Sequence, residues 1–202
     1  MITDTYKTIA QPTEPSLYKE KNSKFFGYAF PVINEEEVKM HLDTLRKQNP
    51  GAVHFCYAYQ IGAEVPYFRA NDDGEPSNTA GMPIYGQIQS FGLTNILIVV
   101  VRYYGGTKLG VGGLIAAYRI TAQMVLEQAG ILEKTIDVHL QIEFEYKNLN
   151  KVMRVIKEKK LQIASQNMEL KCDVEVIVRK KIAAQILQIF DGMFGIKISQ
   201  KE

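Results

Sequence analysis

The stretch Val100–Tyr118, VVRYYGGTKLGVGGLIAAY, decides the reading of this chain. Its first residues continue the apolar run Ile96 to Val101, the pattern of a buried strand. Its last residues open the run Gly113 to Gln128, which reads as a helix closed by Gly130. Between them lie Gly105, Gly106, Gly110, Gly112 and Gly113. Each glycine costs backbone entropy on folding, so this crowding implies sharp turns or close backbone approach. Backbone N–H groups at a helix start are unpaired, and the helix dipole adds partial positive charge there. Lys108 sits among them. The combination reads as an anion site, formed by Arg102, Tyr103, Tyr104, the five glycines and Lys108. The competing reading is a crowded turn between sheet and helix, with both tyrosines covering the sheet end.

Upstream, Asn71–Ile84 reads NDDGEPSNTAGMPI. Its acidic loop, Asp72, Asp73 and Glu75, offers carboxylates for a cation or for acid–base chemistry. The same residue types build ordinary tight turns, and the spacing of a calcium loop is absent. His54 and Cys56 stand two apart on a strand pattern and therefore share a face. A zinc site would need two more ligands, and Cys172 lies in the other half of the chain. They read as a satisfied pair beside the core. No metal and no cofactor are called for.

These motifs resemble the IMPACT family, which includes the bacterial YigZ proteins. The resemblance rests on Asp72-Asp73-Gly74-Glu75-Pro76, on Thr79-Ala80-Gly81 with Pro83, and on Arg102-Tyr103-Tyr104-Gly105-Gly106 followed by Leu109-Gly110 and Gly112-Gly113-Leu114. It extends to Ser23-Lys24-Phe25, to His54 with Cys56, and to the C-terminal region. It implies an α+β protein of two domains. The N-terminal one is expected to resemble the second domain of ribosomal protein S-five, and the C-terminal one the last domain of elongation factor G. The family's eukaryotic members are associated with control of translation through a protein partner. The implied role is a translation-associated factor that binds RNA, the ribosome or a translation-related protein. The alternative is an enzyme acting on a phosphorylated small molecule, against which stands the lack of an evident nucleophile–base pair.

The hydrophobic pattern gives the same organisation. Residues 1–20 read as an irregular lead-in, residues 21–133 as the first domain, and residues 134–202 as a ferredoxin-like βαββαβ domain. In the second domain Ile136, Val138, Leu140, Ile142, Phe144 and Tyr146 alternate strictly, so one strand face is buried. Asn34 with Glu37 forms a capping box for a helix bearing Val38, Leu42 and Leu45. Residues 1–135 carry 12 Lys/Arg against 13 Asp/Glu, whereas residues 136–202 carry 12 against 9. Any basic patch is therefore expected in the second domain, where Lys151, Arg154 and Lys157 are candidate nucleic-acid contacts in addition to the glycine-loop surface of the first. The plainer reading of those charges is a solvated helix face. No apolar run is long enough to span a bilayer, the N-terminus lacks a secretory pattern, and two distant cysteines suit a reducing compartment. A cytoplasmic location is the expectation.

Overall fold

The computed structural model describes residues 4–201. The first three positions of the expected lead-in, and Glu202, lie outside the described residues. Residues 6–134 form one compact unit, and residues 135–201 with Asp4 and Thr5 form another.

The elements up to residue 135 are β1 (Thr5–Ile9), β2 (Ser16–Glu20), β3 (Ser23–Pro31), α1 (Glu35–Gln48), β4 (His54–Ile61), β5 (Tyr67–Asn71), α2 (Gly81–Ser90), β6 (Ile96–Tyr103), α3 (Gly110–Glu127) and β7 (Ile131–Thr135). Five strands make an antiparallel sheet in the order β2-β3-β6-β4-β5. Helices α2 and α3 cover one face, burying Phe25, Cys56, Ile84, Ile98, Val100, Tyr118 and Val125. Helix α1 covers the other, with Val38, Leu42 and Leu45 against Phe55, Tyr57 and Val99. The central β6 is therefore buried on both faces, which is why it reads as a continuous apolar run rather than an alternation. The capping box of α1 is formed: Asn34 Oδ1 accepts from the Glu37 N–H at 2.9 Å, and Glu37 Oε2 accepts from the Ile33 N–H at 2.9 Å.

The structure corrects the sequence reading in three places. Residues 4–20 are not irregular, because they contain β1 and β2. The β2–β3 hairpin closes through Lys21 and Asn22, both at positive φ (43° and 65°). That is the twist a two-residue hairpin requires, supplied here without the Asn-Gly or Asp-Gly pair that announces it in sequence. Strand β1 pairs with β7, so the expected domain boundary at residues 133–134 falls inside a strand rather than between elements. Helix α3 begins at Gly110, three residues before the expected start, so the later glycines form its first turn.

The second unit contains β8 (Asp137–Glu145), a 3-10 turn (Tyr146–Asn148), α4 (Leu149–Glu158), β9 (Gln162–Met168), β10 (Lys171–Arg179), α5 (Lys180–Asp191) and β11 (Ile196–Gln200). The sheet order β11-β8-β10-β9 is that of the ferredoxin-like βαββαβ fold. The even residues of β8 and β10 face the helices, with Leu140, Ile142, Val174 and Val176 against Val152, Ile186 and Phe190. The odd residues form a polar outer face. There Glu175 accepts from Lys201 at 2.8 Å and contacts His139 Nδ1 at 2.6 Å. Those bonds, the lysine's first, hold its carboxyl down at about 2.

Candidate functional site

Both sequence motifs converge on one pocket of the first unit. It has a volume of about 620 Å³ and is lined by Val53, His54, Glu75, Pro76, Arg102, Tyr104, Lys108, Leu109, Gly110, Val111 and Leu114. Three backbone features bring these residues together. His54 and Arg102 face each other across the β4–β6 pairing. The acidic loop follows β5, which pairs with β4. Helix α3 starts one short loop after β6.

Glu75 is the hinge of the site. Its side chain is only 4% exposed, and one oxygen, Oε1, collects three neighbours. Arg102 donates to it at 2.5 Å and the Tyr118 hydroxyl donates at 2.7 Å. His54 Nε2 lies 3.9 Å away. Behind Tyr118 sits the Cys56 thiol, 3.3 Å from the Tyr118 oxygen and 3.0 Å from the Asp72 carbonyl. Burial first, then the surrounding carboxylates, push the Cys56 thiol far up, and burial does the same to the Tyr118 hydroxyl. Cys56 is thus a proton-bearing member of a buried chain and not a thiolate nucleophile. In the folded protein it should resist iodoacetamide at neutral pH and react on unfolding. Mass-spectrometric mapping of the label checks this, and rapid labelling of the native chain would contradict it.

His54 Nδ1 lies 2.8 Å from the Asp73 carbonyl oxygen. A carbonyl only accepts, so the neutral ring carries its proton on Nδ1 and turns its unprotonated Nε2 toward Glu75, in the pocket wall. Asp72 and Asp73 do not line the pocket. Asp72 accepts from the N–H groups of Asn78, Ala80 and Gly81, which fastens the loop to the start of α2. Asp73 Oδ2 accepts from the Phe55 N–H at 2.7 Å. Both aspartates therefore shape the loop around His54, and Glu75 alone of the three acidic residues faces the cavity.

Arg102 is 5% exposed. Its guanidinium lies 5.3 Å from the Phe25 ring and 5.5 Å from the Tyr104 ring, and its NH2 is 3.4 Å from the Ser23 hydroxyl. Its Nε is buried with no hydrogen-bond partner among the described residues. Tyr103, by contrast, points to the opposite sheet face. It packs on Phe26 and donates to Asn49 Oδ1 at 2.9 Å, so its expected place in the site is corrected: successive strand residues alternate sides.

The glycines divide. Gly110, at φ +74°, follows Leu109 in the right-handed helical region, a change of hand that turns successive amides toward one point. No side chain caps α3 and its first turn has no acidic residue. Lys108 is exposed at this end, with no ion pair among the described residues. Gly105, Gly106, Gly112 and Gly113 shape the loop and first turn without lining the cavity. Lys151, Arg154 and Lys157 lie exposed on α4 of the other unit, where Arg154 Nε donates to Glu158 at 2.7 Å. The residues that sequence reasoning missed as site members are His54, Tyr118, Cys56 and Ser23. A tyrosine on the otherwise apolar face of α3 was the available signal.

The site and the two α+β units define a class of protein known from many relatives. The Impact N-terminal domain matches residues 21–126. IMPACT family member YvyE of Bacillus subtilis (strain 168) is 32% identical over 197 residues, which cover 96% of this chain and 90% of YvyE. IMPACT family member YigZ of Escherichia coli (strain K12) is 36% identical over 131 residues, 64% of each chain. The crystal structure of a hypothetical protein covers 100% of this chain and 99% of its own length at 26% identity, with a TM-score of 0.74. The chain belongs to the IMPACT family. Among the described residues no helix is long and apolar enough to cross a membrane, and no group of three or more His, Cys, Asp or Glu side chains is placed to hold a metal ion.

Proposed function

We propose that this chain is a translation-associated binding factor of the cytoplasm, and that its N-terminal pocket receives a phosphate-like anion on RNA or on a translation-related partner. The observation that carries the reading is the meeting, in one pocket, of the uncapped start of α3 and the exposed Lys108, which has no ion pair among the described residues. The Arg102 charge is offset by Glu75, so Lys108 and the helix start supply the net attraction. The family's association with translational control supports the setting. Two free cysteines buried in separate units agree with a reducing compartment.

Nucleic-acid contact by the second unit, through Lys151, Arg154 and Lys157, belongs to the same proposal. The outer face of its sheet is a poor alternative. It presents Glu143, Asp173 and Glu175, and the His139 ring on it is held against Glu175. An enzyme acting on a phosphorylated small molecule is the second reading. One observation favours it: the bare Nε2 of His54 beside Glu75, an acid–base pair at the pocket wall.

Native purification with and without ribonuclease, followed by mass spectrometry, separates the readings. RNA fragments or ribosomal proteins favour the first, and a bound phosphometabolite favours the second. In calorimetry Lys108→Ala should weaken phosphate binding by about 1–2 kcal/mol, the worth of a charge-assisted hydrogen bond. No heat with phosphate at millimolar concentration would remove the anion pocket.

A further inference from the structure

We infer that the pocket is built for a nucleoside monophosphate unit, either free or at the end of an RNA strand; this rests on the anion reading above and specifies its ligand. The cavity holds more than an anion needs. Its volume of about 620 Å³ falls in the range of sites that hold a whole small molecule, roughly 300–1,000 Å³. A phosphate has few heavy atoms and satisfies only the groups at the start of α3. The remaining wall has two kinds of surface, and each asks for something different.

The first kind is apolar. Val53, Pro76, Leu109, Val111 and Leu114 line the cavity, and Val111 is 59% exposed. Water against such a wall is unfavourable, so a ligand with a flat or apolar body is favoured over a wholly polar one. Tyr104 adds a half-exposed ring at the same wall, held near the Arg102 guanidinium. An exposed ring beside a cation suits a nucleobase, because every base has a stacking face.

The second kind accepts hydrogen bonds. His54 has its Nδ1 proton committed to the Asp73 carbonyl, so Nε2 of the neutral ring is an acceptor. Glu75 has its Oε1 saturated by Arg102 and Tyr118, while Oε2 has no bond among the described residues. These two acceptors suit ribose hydroxyls or a base amino group. They repel a second anion, which argues against a bisphosphorylated ligand at this end. Lys108, exposed at the start of α3, supplies the opposite need. Phosphate oxygens, a flat apolar ring and hydrogen-bond donors occur together in a nucleotide. A sugar phosphate lacks the ring, and a nucleoside lacks the anion.

The test is calorimetric titration of the full chain with inorganic phosphate, ribose 5-phosphate, adenosine, AMP, and an adenosine oligomer with and without a terminal phosphate. AMP should bind at least tenfold tighter than phosphate or ribose 5-phosphate. Tyr104→Ala should remove most of that advantage, and Tyr104→Phe should restore it. Val111→Ser, a surface change on α3, should narrow it as well. Tighter binding of the phosphorylated oligomer than of AMP assigns the ligand to an RNA end, and equal binding assigns it to free mononucleotide; both support the inference. AMP no tighter than phosphate would overturn it and leave the anion pocket standing. Absence of binding by phosphate and AMP alike would overturn both.

Discussion

Arg102→Ala should destabilise the first unit by about 3–5 kcal/mol, the range for removing one partner of a buried ion pair. The cost does not come from the lost attraction alone. Glu75 is 4% exposed and would keep its carboxylate with only the Tyr118 hydroxyl on Oε1. An uncompensated charge in that position is expensive, and the apolar wall of the pocket offers it no second partner. Removing both charges together is a different case. Arg102→Leu combined with Glu75→Leu should recover much of the loss, because the desolvation of two ions disappears with their attraction. Alkylation of Cys56 across a urea series reads the stability of this unit. Cys172 in the same sample reports the other unit, which Arg102→Ala should leave unchanged. A shift below 1 kcal/mol at Cys56 would mean that water reaches Glu75 as freely as at a surface pair.

The effect on ligand binding should be separable from the effect on stability. Arg102→Lys retains the charge but loses the planar fork and the Nε–H. It should hold Glu75 well enough to fold. It should also weaken phosphate binding, because an ammonium cannot hold Glu75 and lie against the Tyr104 ring at once as the planar guanidinium does.

How much of this was legible in the sequence depends on the residues in question. The alternation in β8 was visible because one of its faces is buried and the other solvated, so polarity has period two. Strand β6 was visible for the opposite reason, two covered faces. Strand β2 was hidden because Lys21 and Asn22 adopt positive φ without glycine. Strand β1 pairs with β7, which is mostly exposed and lacks an apolar pattern, and has beyond it a single β-bridge, from Lys7 to Leu93. At the site, the glycine-rich start of α3 and Lys108 were readable because the chemistry is local. The chain Cys56–Tyr118–Glu75–Arg102 was not. It joins two strands, a loop and a helix at separations of 27 to 62 residues, and no local pattern encodes that meeting. The β4–β6 register was the missing step. It sets His54 opposite Arg102 and makes the acidic loop close over both. Without it, His54 and Cys56 read as a core pair, which is true of Cys56 and incomplete for His54.

The glycines of the opening motif should separate sharply under substitution, with Gly105→Ala by far the worst. A Cβ at Gly105 would land inside the peptide that joins Asn22 to Ser23. That obstacle is backbone, so no side-chain rotation relieves it. The Gly105 N–H also donates to the Ser23 hydroxyl at 3.1 Å, the same hydroxyl that Arg102 NH2 approaches. Forcing the segments apart therefore opens the β2–β3 turn and frees one support of Arg102. The expected loss is about 3 kcal/mol, the upper end for overpacking, with phosphate binding weakened as Arg102 shifts. Gly112→Ala is the contrast. No atom lies within 4 Å of its added Cβ, and it occupies the first turn of α3. Alanine there should stabilise by about 0.5–1 kcal/mol, because it limits the unfolded chain more than glycine does. The two variants read out the same motif by different physics, close approach in one case and only backbone entropy in the other. Equal stabilities in parallel urea series would show that Gly105 does not hold the hairpin turn against the end of β6, and that the support of Arg102 lies elsewhere.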